Sequence, residues 1–313
     1  MKIRSLFLFC LGLLIATAPM VAVGQYLLYR HHMTHLYVPA TEALLHETVW
    51  RQKSSPTEAA AMLRALQQDN EAEKILGGGR GDSQKHLFLM RFVMNRFSKV
   101  GSSGEQHPYA LFLASERENF QGTLCGNMAE LLAEFATIAG SKARVIQLQA
   151  GFGDRYDSHV AVELWEDGYW VLYDPTFNLT FRDANNTLLN SLTLRTLSRQ
   201  RAEIQYEFHG EVAYPPRLQK YYLDYPSLLH VVSVATIPMS SFHKLPPFRY
   251  FWGPRNLLIA APADMERVMD ATLWFNSMYW LFIVFLPLLC FIEAGLCLFF
   301  WFRGRSLAQR RLS

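Results

Sequence analysis

Apolar residues form two nearly unbroken runs at the ends of the chain and short periodic stretches between them. The first run extends from about Ser5 to Val23, behind Lys2 and Arg4. The second extends from Leu273 to Phe302, is interrupted by Pro287 and Glu293, and precedes Arg303, Arg305, Arg310 and Arg311. About 20 apolar residues cross a bilayer as a helix, so the second run predicts a transmembrane helix. The first run has two readings. It is a retained anchor, or a signal peptide cleaved before Gln25 with Ala22 and Gly24 as the small residues such a site needs. Trp274, Tyr279, Trp280 and Trp301 stand where interfacial aromatics belong, and the basic flanks predict that both ends face the cytoplasm. The region between the runs is then extracytoplasmic. Glu293, an ionisable residue inside the second run, is a functional candidate by default, but the favoured reading is that it pairs with Arg303 or faces a partner helix.

Between the runs the period is first helical. Residues 41–76 read as helix, with Ser55-Pro56-Thr57-Glu58 supplying an N-cap, a proline at the first helical position and a capping-box glutamate. Residues 77–82 are glycine-rich and read as a loop; their Arg80-Gly81-Asp82 tripeptide has no context that would make it a binding motif. His86 to Phe97 forms a second amphipathic stretch, with Leu87, Met90, Val93, Met94 and Phe97 on one face. A polar loop, Gly101 to Gln106, leads to Tyr109–Phe120. Met128, Leu131, Leu132, Phe135 and Ile138 mark a third helix that Gly140 stops. The period then switches to two. Ala143–Gln149, His159–Trp165 and Tyr169–Phe177 read as strands, the last two joined by a Glu166-Asp167-Gly168 turn. A helix followed by an antiparallel meander predicts an α+β fold.

Beyond Thr180 the pattern weakens. Residues 188–206 read as helical or mixed, and the proline- and aromatic-rich residues 214–256 have two readings: they pack onto the same domain, which is favoured, or lie along the bilayer surface before the second span. Asn178-Leu179-Thr180 and Asn185-Asn186-Thr187 match glycosylation sequons, which matter only in a glycosylating host. The net charge of +3 comes partly from the flanks of the apolar runs, and nucleic acid is not an expected partner.

Of the four cysteines, Cys10, Cys290 and Cys297 lie in the apolar runs, which leaves Cys125 alone in the region between them. A lone cysteine makes no internal disulfide. It is either a buried small hydrophobe or a reactive group. Its position favours the second, because it opens the third helix, where unpaired N–H groups and the helix dipole stabilise a thiolate. His159 opens the next-but-one strand, and Asp174 lies on the strand after it. If Asp167-Gly168 is a two-residue turn, Ala161 sits opposite Asp174. His159 is then a same-face diagonal neighbour of Asp174, with about 7 Å or less between β-carbons. The carboxylate can orient one ring nitrogen while the other serves the thiol.

The local frames of these residues are Gly122-Thr-Leu-Cys125-Gly-Asn127-Met-Ala129-Glu-Leu-Leu132, Gly140-Ser-Lys-Ala143-Arg144-Val145, His159-Val-Ala-Val-Glu163 and Tyr173-Asp174-Pro175-Thr176. Together they resemble the transglutaminase-like superfamily over about residues 85–180. The resemblance implies an α+β, papain-like core with a helix packed on an antiparallel sheet, flanked here by transmembrane helices. It also implies Cys125 as nucleophile, His159 as general base and acid, and Asp174 as orienting residue. The chain departs from the family pattern at Ala161, where members often carry tryptophan, and lacks the aromatic residue and upstream tryptophan of the eukaryotic enzymes. The oxyanion donors are therefore the Cys125 N–H with Gln121 or Asn119 as side-chain candidates. No cofactor and no metal are expected, since the calcium sites of the eukaryotic branch are not recognisable.

The implied function is acyl transfer or hydrolysis on peptide or protein amides through a thioester at Cys125, on the extracytoplasmic face of a membrane. The alternative is an idle domain of the same type that binds an envelope peptide, a polymer or a partner protein. A papain-like peptidase is disfavoured because Asn119, not glutamine, lies six residues before the cysteine. The expected organisation is a signal anchor or signal peptide over 1–24, a helical region over 25–84, the core over 85–180 and a C-terminal extension over 181–271. A transmembrane helix over 272–302 and a basic tail over 303–313 complete the chain.

Overall fold

The computed structural model describes residues 2–30, 36–39, 48–69, 81–97, 101, 107–120, 122–151, 158–210, 224–235, 255–260, 277–278 and 280–309. In chain order the elements are α1 (Lys2–Arg30), β1 (Leu36–Pro39), α2 (Pro56–Gln67), α3 (Asp82–Phe97), α4 (Pro108–Ala114), α5 (Cys125–Ile138), β2 (Ala143–Gln149), β3 (Ser158–Glu166), β4 (Tyr169–Tyr173), β5 (Leu179–Asp183), α6 (Ser191–Arg199), β6 (Ile204–Phe208), β7 (Val231–Ala235), β8 (Arg255–Ala260) and α7 (Leu286–Gln309). A 3-10 turn at Tyr225–Leu229 precedes β7, and a π-helical stretch at Trp280–Phe285 runs into α7.

The chain divides into two compact units. One holds α1 and α7, which pack against each other. Ser5–Gly24 and Trp280–Arg303 are each long and apolar enough to cross a membrane. The other unit is a mixed α+β domain. Its main sheet has six strands in the order β1-β8-β7-β2-β3-β4, and β5 and β6 form a separate two-stranded ribbon.

Both faces of the main sheet are covered. Val145, Val162, Leu164, Val171 and Tyr173 face one core, shared with Leu89, Val93 and Phe97 of α3 and Leu131, Leu132 and Phe135 of α5. Ile146, Leu148, Ala161 and Leu172 face the other, shared with Phe177, Phe181, Leu194, Tyr225, Val232 and Val234. Full burial of each such side chain contributes about 1.5–3 kcal/mol relative to exposure. The α+β arrangement expected from the sequence is therefore present, and the region after Thr180 supplies the strands β7 and β8 and more than half of the second core. β7 pairs with β2 through Ile146↔Val234 to Gln149↔Val231, so the sheet does not end with the segment 85–180.

The β3–β4 hairpin closes through Glu166↔Tyr169. Asp167 and Gly168 both take positive φ, +45° and +95°, the combination a two-residue turn needs to follow the strand twist. The predicted strand Tyr169–Phe177 is shorter, stopping at Tyr173, because Asp174 Oδ1 folds the chain back by accepting the N–H groups of Thr176 (3.0 Å) and Phe177 (3.2 Å). The predicted helix over 41–76 is also shorter. Residues 48–53 are not helical, and α2 starts at Pro56 behind a complete capping box between Ser55 and Glu58. Trp50 and Lys53 instead tie this segment to α5 through fully buried Glu134, which accepts Trp50 Nε1–H at 2.8 Å and the Lys53 and Ser54 amides. Residues 188–206 resolve into helix and strand, α6 followed by the start of β6. Residues 77–80, residues 102–106 of the predicted loop and most of 214–256 lie outside the described residues. Asn178 of the first sequon is fully buried.

Candidate functional site

Cys125 is the first residue of α5. Its N-cap, Leu124, offers no side-chain hydrogen bond to the helix, in contrast to Ser55 on α2. The first intrahelical bond at this end runs from Met128 N–H to the Leu124 carbonyl at 3.1 Å. The preceding amides of the first turn therefore have no acceptor within the helix. The partial positive charge of that helix end sits at the sulfur.

His159 is the second residue of β3. The β3–β4 register pairs Val162 with Tyr173; carried one residue further, it sets Ala161 opposite Asp174 and His159 diagonal to it, as the two-residue turn predicted. His159 Nε2 lies 2.7 Å from Asp174 Oδ2. The other Asp174 oxygen is held by the Thr176 and Phe177 amides, so the carboxylate cannot rotate away. The Cys125 thiol is coupled to the His159 ring and to the backbone of Val160. With Nε2 turned to Asp174, Nδ1 is the nitrogen left for the thiol. Cys125 is half-buried, whereas His159 and Asp174 are buried.

The electrostatics follow from these contacts. Burial pushes the Cys125 thiol up, but the hydrogen bond and charge of His159 and the Val160 backbone outweigh it, and the net shift is downward. Burial alone would lower His159; the Asp174 charge and hydrogen bond, with Cys125 adding to them, reverse that and push it up to about 10. The two shifts have one physical content: a thiolate beside an imidazolium is favoured over the neutral pair.

Two aromatic rings fix the imidazole. Phe177 stacks on it with ring centroids 4.8 Å apart and an interplanar angle of 23°. Tyr225 meets it edge-on at 5.9 Å. The Tyr225 hydroxyl is buried beside the Asp174 carboxylate without completing a hydrogen bond of normal geometry. Burial, then the Asp174 charge, pushes that phenol well up. Neither ring was singled out from the sequence. Phe177 follows Asp-Pro-Thr closely enough to be suspected, but Tyr225 reaches the site only through the pairing of β7 with β2.

Of the two side-chain oxyanion candidates, Asn119 is exposed on the turn after α4, an environment that neither fixes a donor nor excludes water. Gln121 lies outside the described residues. A β-carbon on Gly126 would meet no atom of the described residues within 4 Å, and Leu124 is 51% exposed. Among the described residues, no three His, Cys, Asp or Glu side chains gather in a way that could hold a metal ion.

Two further buried polar networks brace the sheet, and neither was expected. Arg144 and Glu163 face each other across β2 and β3, joined at Nε by 2.6 Å, and the second Glu163 oxygen accepts the Ser191 amide and hydroxyl at the start of α6. On the opposite face, His86 Nδ1 lies 2.8 Å from Glu166 Oε1 and His86 Nε2 lies 2.9 Å from Ser141 Oγ. Tyr173 donates its hydroxyl to the same Glu166 oxygen. No family model, curated protein or solved structure matches the chain.

Proposed function

We propose that this protein is a membrane-anchored thiol enzyme of transglutaminase-like type, with Cys125 as nucleophile, His159 as acid and base and Asp174 as the residue that orients His159. The observation that carries this reading is a cysteine at the N-terminus of a buried helix, coupled to a histidine that a buried aspartate holds at Nε2. The order and local frames of the three residues support the family assignment. The basic flanks of α1 and α7 support an extracytoplasmic position for the domain.

In the reaction, the thiolate attacks the carbonyl carbon of a peptide or protein amide and a C–S bond forms. The tetrahedral adduct collapses as the C–N bond breaks, and the His159 imidazolium gives its proton to the departing nitrogen. A thioester and a neutral imidazole remain. His159 then takes a proton from water, or from an amine, as its oxygen or nitrogen attacks the thioester; the C–S bond breaks and the thiolate returns. Water yields hydrolysis and an amine yields transamidation.

The test is the pH dependence of Cys125 alkylation in the full chain, read at the level of the Cys125 peptide by mass spectrometry. Rapid alkylation that continues well below the ordinary thiol value of about 8.5 supports the reading. Alkylation that rises only near that value, and is the same in His159→Ala, overturns it and leaves an idle binding domain. The sign of the wider profile follows from the two shifts. Alkylation declines as pH falls through the lowered Cys125 value and stays level on the alkaline side. Turnover also needs the imidazolium, so it declines again as pH rises toward about 10.

A further inference from the structure

Along α1 the positions turned inward are Phe7, Cys10, Leu14, Thr17, Val21 and Gly24; apart from Leu11, the other described side chains from Ser5 to Tyr26 are exposed. The spacing is 3-4-3-4-3, the seam of a helix packed on one partner. On α7 the positions Leu286, Cys290, Glu293, Cys297 and Phe300 are turned inward at 4-3-4-3. The two seams meet in antiparallel order. Thr17 Oγ1 donates to Glu293 Oε2 at 2.6 Å, and Cys290 Sγ lies 3.4 Å from Thr17 Oγ1. Two turns further along α1, Gly24 is covered so closely by the Phe282 ring that any β-carbon there would overlap it. Glu293 is 5% exposed.

We infer that α1 is a permanent membrane helix rather than a removable signal sequence, zipped to α7 along this seam with Thr17–Glu293 as its polar lock. In hydrocarbon, helices gain nothing from hiding apolar surface from lipid; they associate through close packing at small residues and through interhelical hydrogen bonds. The seam has both. Cleavage before Gln25 would remove Thr17 and the Gly24 seat together, and would turn Glu293 toward lipid without a protein partner. The small residue at Gly24, which reads in the sequence as part of a cleavage site, is instead the position where Phe282 rests. The peptide bond that a signal peptidase would cut lies inside α1, which continues unbroken to Arg30. Glu293 thus has a hydrogen-bond partner on the N-terminal helix of its own chain.

Two measurements test this on the full chain carrying a C-terminal tag and purified from membranes. Intact mass is expected to show an N-terminus at Met1; an N-terminus at or near Gln25 overturns the inference. The second measurement is oxidative cross-linking with copper phenanthroline in chains carrying Cys10→Ala and Cys297→Ala. Thr17→Cys is expected to form a disulfide with Cys290, within reach of disulfide geometry, in at least tenfold higher yield than Ile15→Cys, whose native side chain is exposed. Adding Gly24→Leu is expected to cut that yield severalfold. Equal yields at positions 15 and 17, or no effect of Gly24→Leu, overturn the seam. Neither readout depends on whether Cys125 is catalytic.

Discussion

The two ends of α5 carry the same three kinds of group. At its start, Cys125 meets the His159–Asp174 pair. Just past its end, Ser141 meets the His86–Glu166 pair with distances of 2.9 and 2.8 Å. Drawn as a nucleophile, a histidine and an acid, the two look alike; their backbones are opposite. The amides at the N-terminal end have no intrahelical acceptor and the dipole there is positive. At the C-terminal end the dipole is negative and the amides are used up: Gly140 N–H bonds the Thr137 carbonyl at 3.0 Å, and Ser141 N–H bonds the Ala136 carbonyl at 2.8 Å. This is a helix-ending motif with Gly140 at φ +81°. No donor remains on Ser141 for a developing oxyanion, and His86 is fully buried. The side chains alone therefore do not distinguish the two ends; the helix end beneath them does. On the proposed reading the constellation at Cys125 serves chemistry, while the one at Ser141 is a clasp joining α3, the α5–β2 turn and the β3–β4 hairpin.

The largest expected effects come from removing each histidine in turn. His159→Ala should lower Cys125 alkylation at pH 6 on the order of 10²-fold, the loss expected when a thiol returns to its ordinary value. The melting temperature should fall far less steeply than activity. His86→Ala should do the reverse. It strips Glu166 and Ser141 of a buried partner and should cost roughly 2–4 kcal/mol, a fall of roughly 10 °C in the melting temperature, with the pH inflection of Cys125 unmoved. Alkylation profiles and thermal unfolding in the same detergent check both. A shift of the Cys125 inflection in His86→Ala would break the division of labour between the two ends.

A smaller effect sharpens the same contrast. Ser141→Cys places a thiol on a histidine–glutamate pair at the wrong end of the helix. Its alkylation should rise only near the ordinary value of about 8.5, and at pH 6 it should lag Cys125 in the same chain by on the order of 10²-fold. Peptide-resolved labelling reads both thiols at once. Comparable rates would mean that the imidazole alone suffices and that the helix end contributes little.

How much of this could be read beforehand depends on how local each feature is. The His159–Asp174 pairing was legible because a two-residue turn fixes the register of everything before it, and Asp167-Gly168 is such a turn. Cys125 was legible because the periodic apolar positions of α5 begin three residues later. Tyr225 was not, since it reaches His159 through the Ile146↔Val234 pairing, which no local pattern encodes. The buried roles of Glu134, Glu163 and Glu166 were not legible, because their partners are distant in the chain. The seam of α1 was hidden for the opposite reason. In a run where nearly every residue is apolar, one inward stripe has no polar face to contrast with.

Tyr225 offers the finest division of the active end, because its ring and its hydroxyl have separable jobs. The ring closes the His159 imidazole between itself and Phe177. The hydroxyl is buried and without a normal hydrogen bond among the described residues, and such a group costs stability rather than adding it. Tyr225→Phe should therefore leave stability level or raise it by about 1 kcal/mol or less. It should move the Cys125 inflection by less than one pH unit. The direction should be downward: Asp174 loses a neighbouring dipole that competes for its charge, holds His159 more firmly as imidazolium, and the thiolate gains. Tyr225→Ala also removes the ring, admits water to His159 and should cost about 3–5 kcal/mol, with the inflection moving up toward that of a free thiol. If Tyr225→Phe alone moves the inflection up by a unit or more, the hydroxyl rather than the ring positions the Asp174–His159 pair. The active end of α5 would then depend on four side chains instead of three.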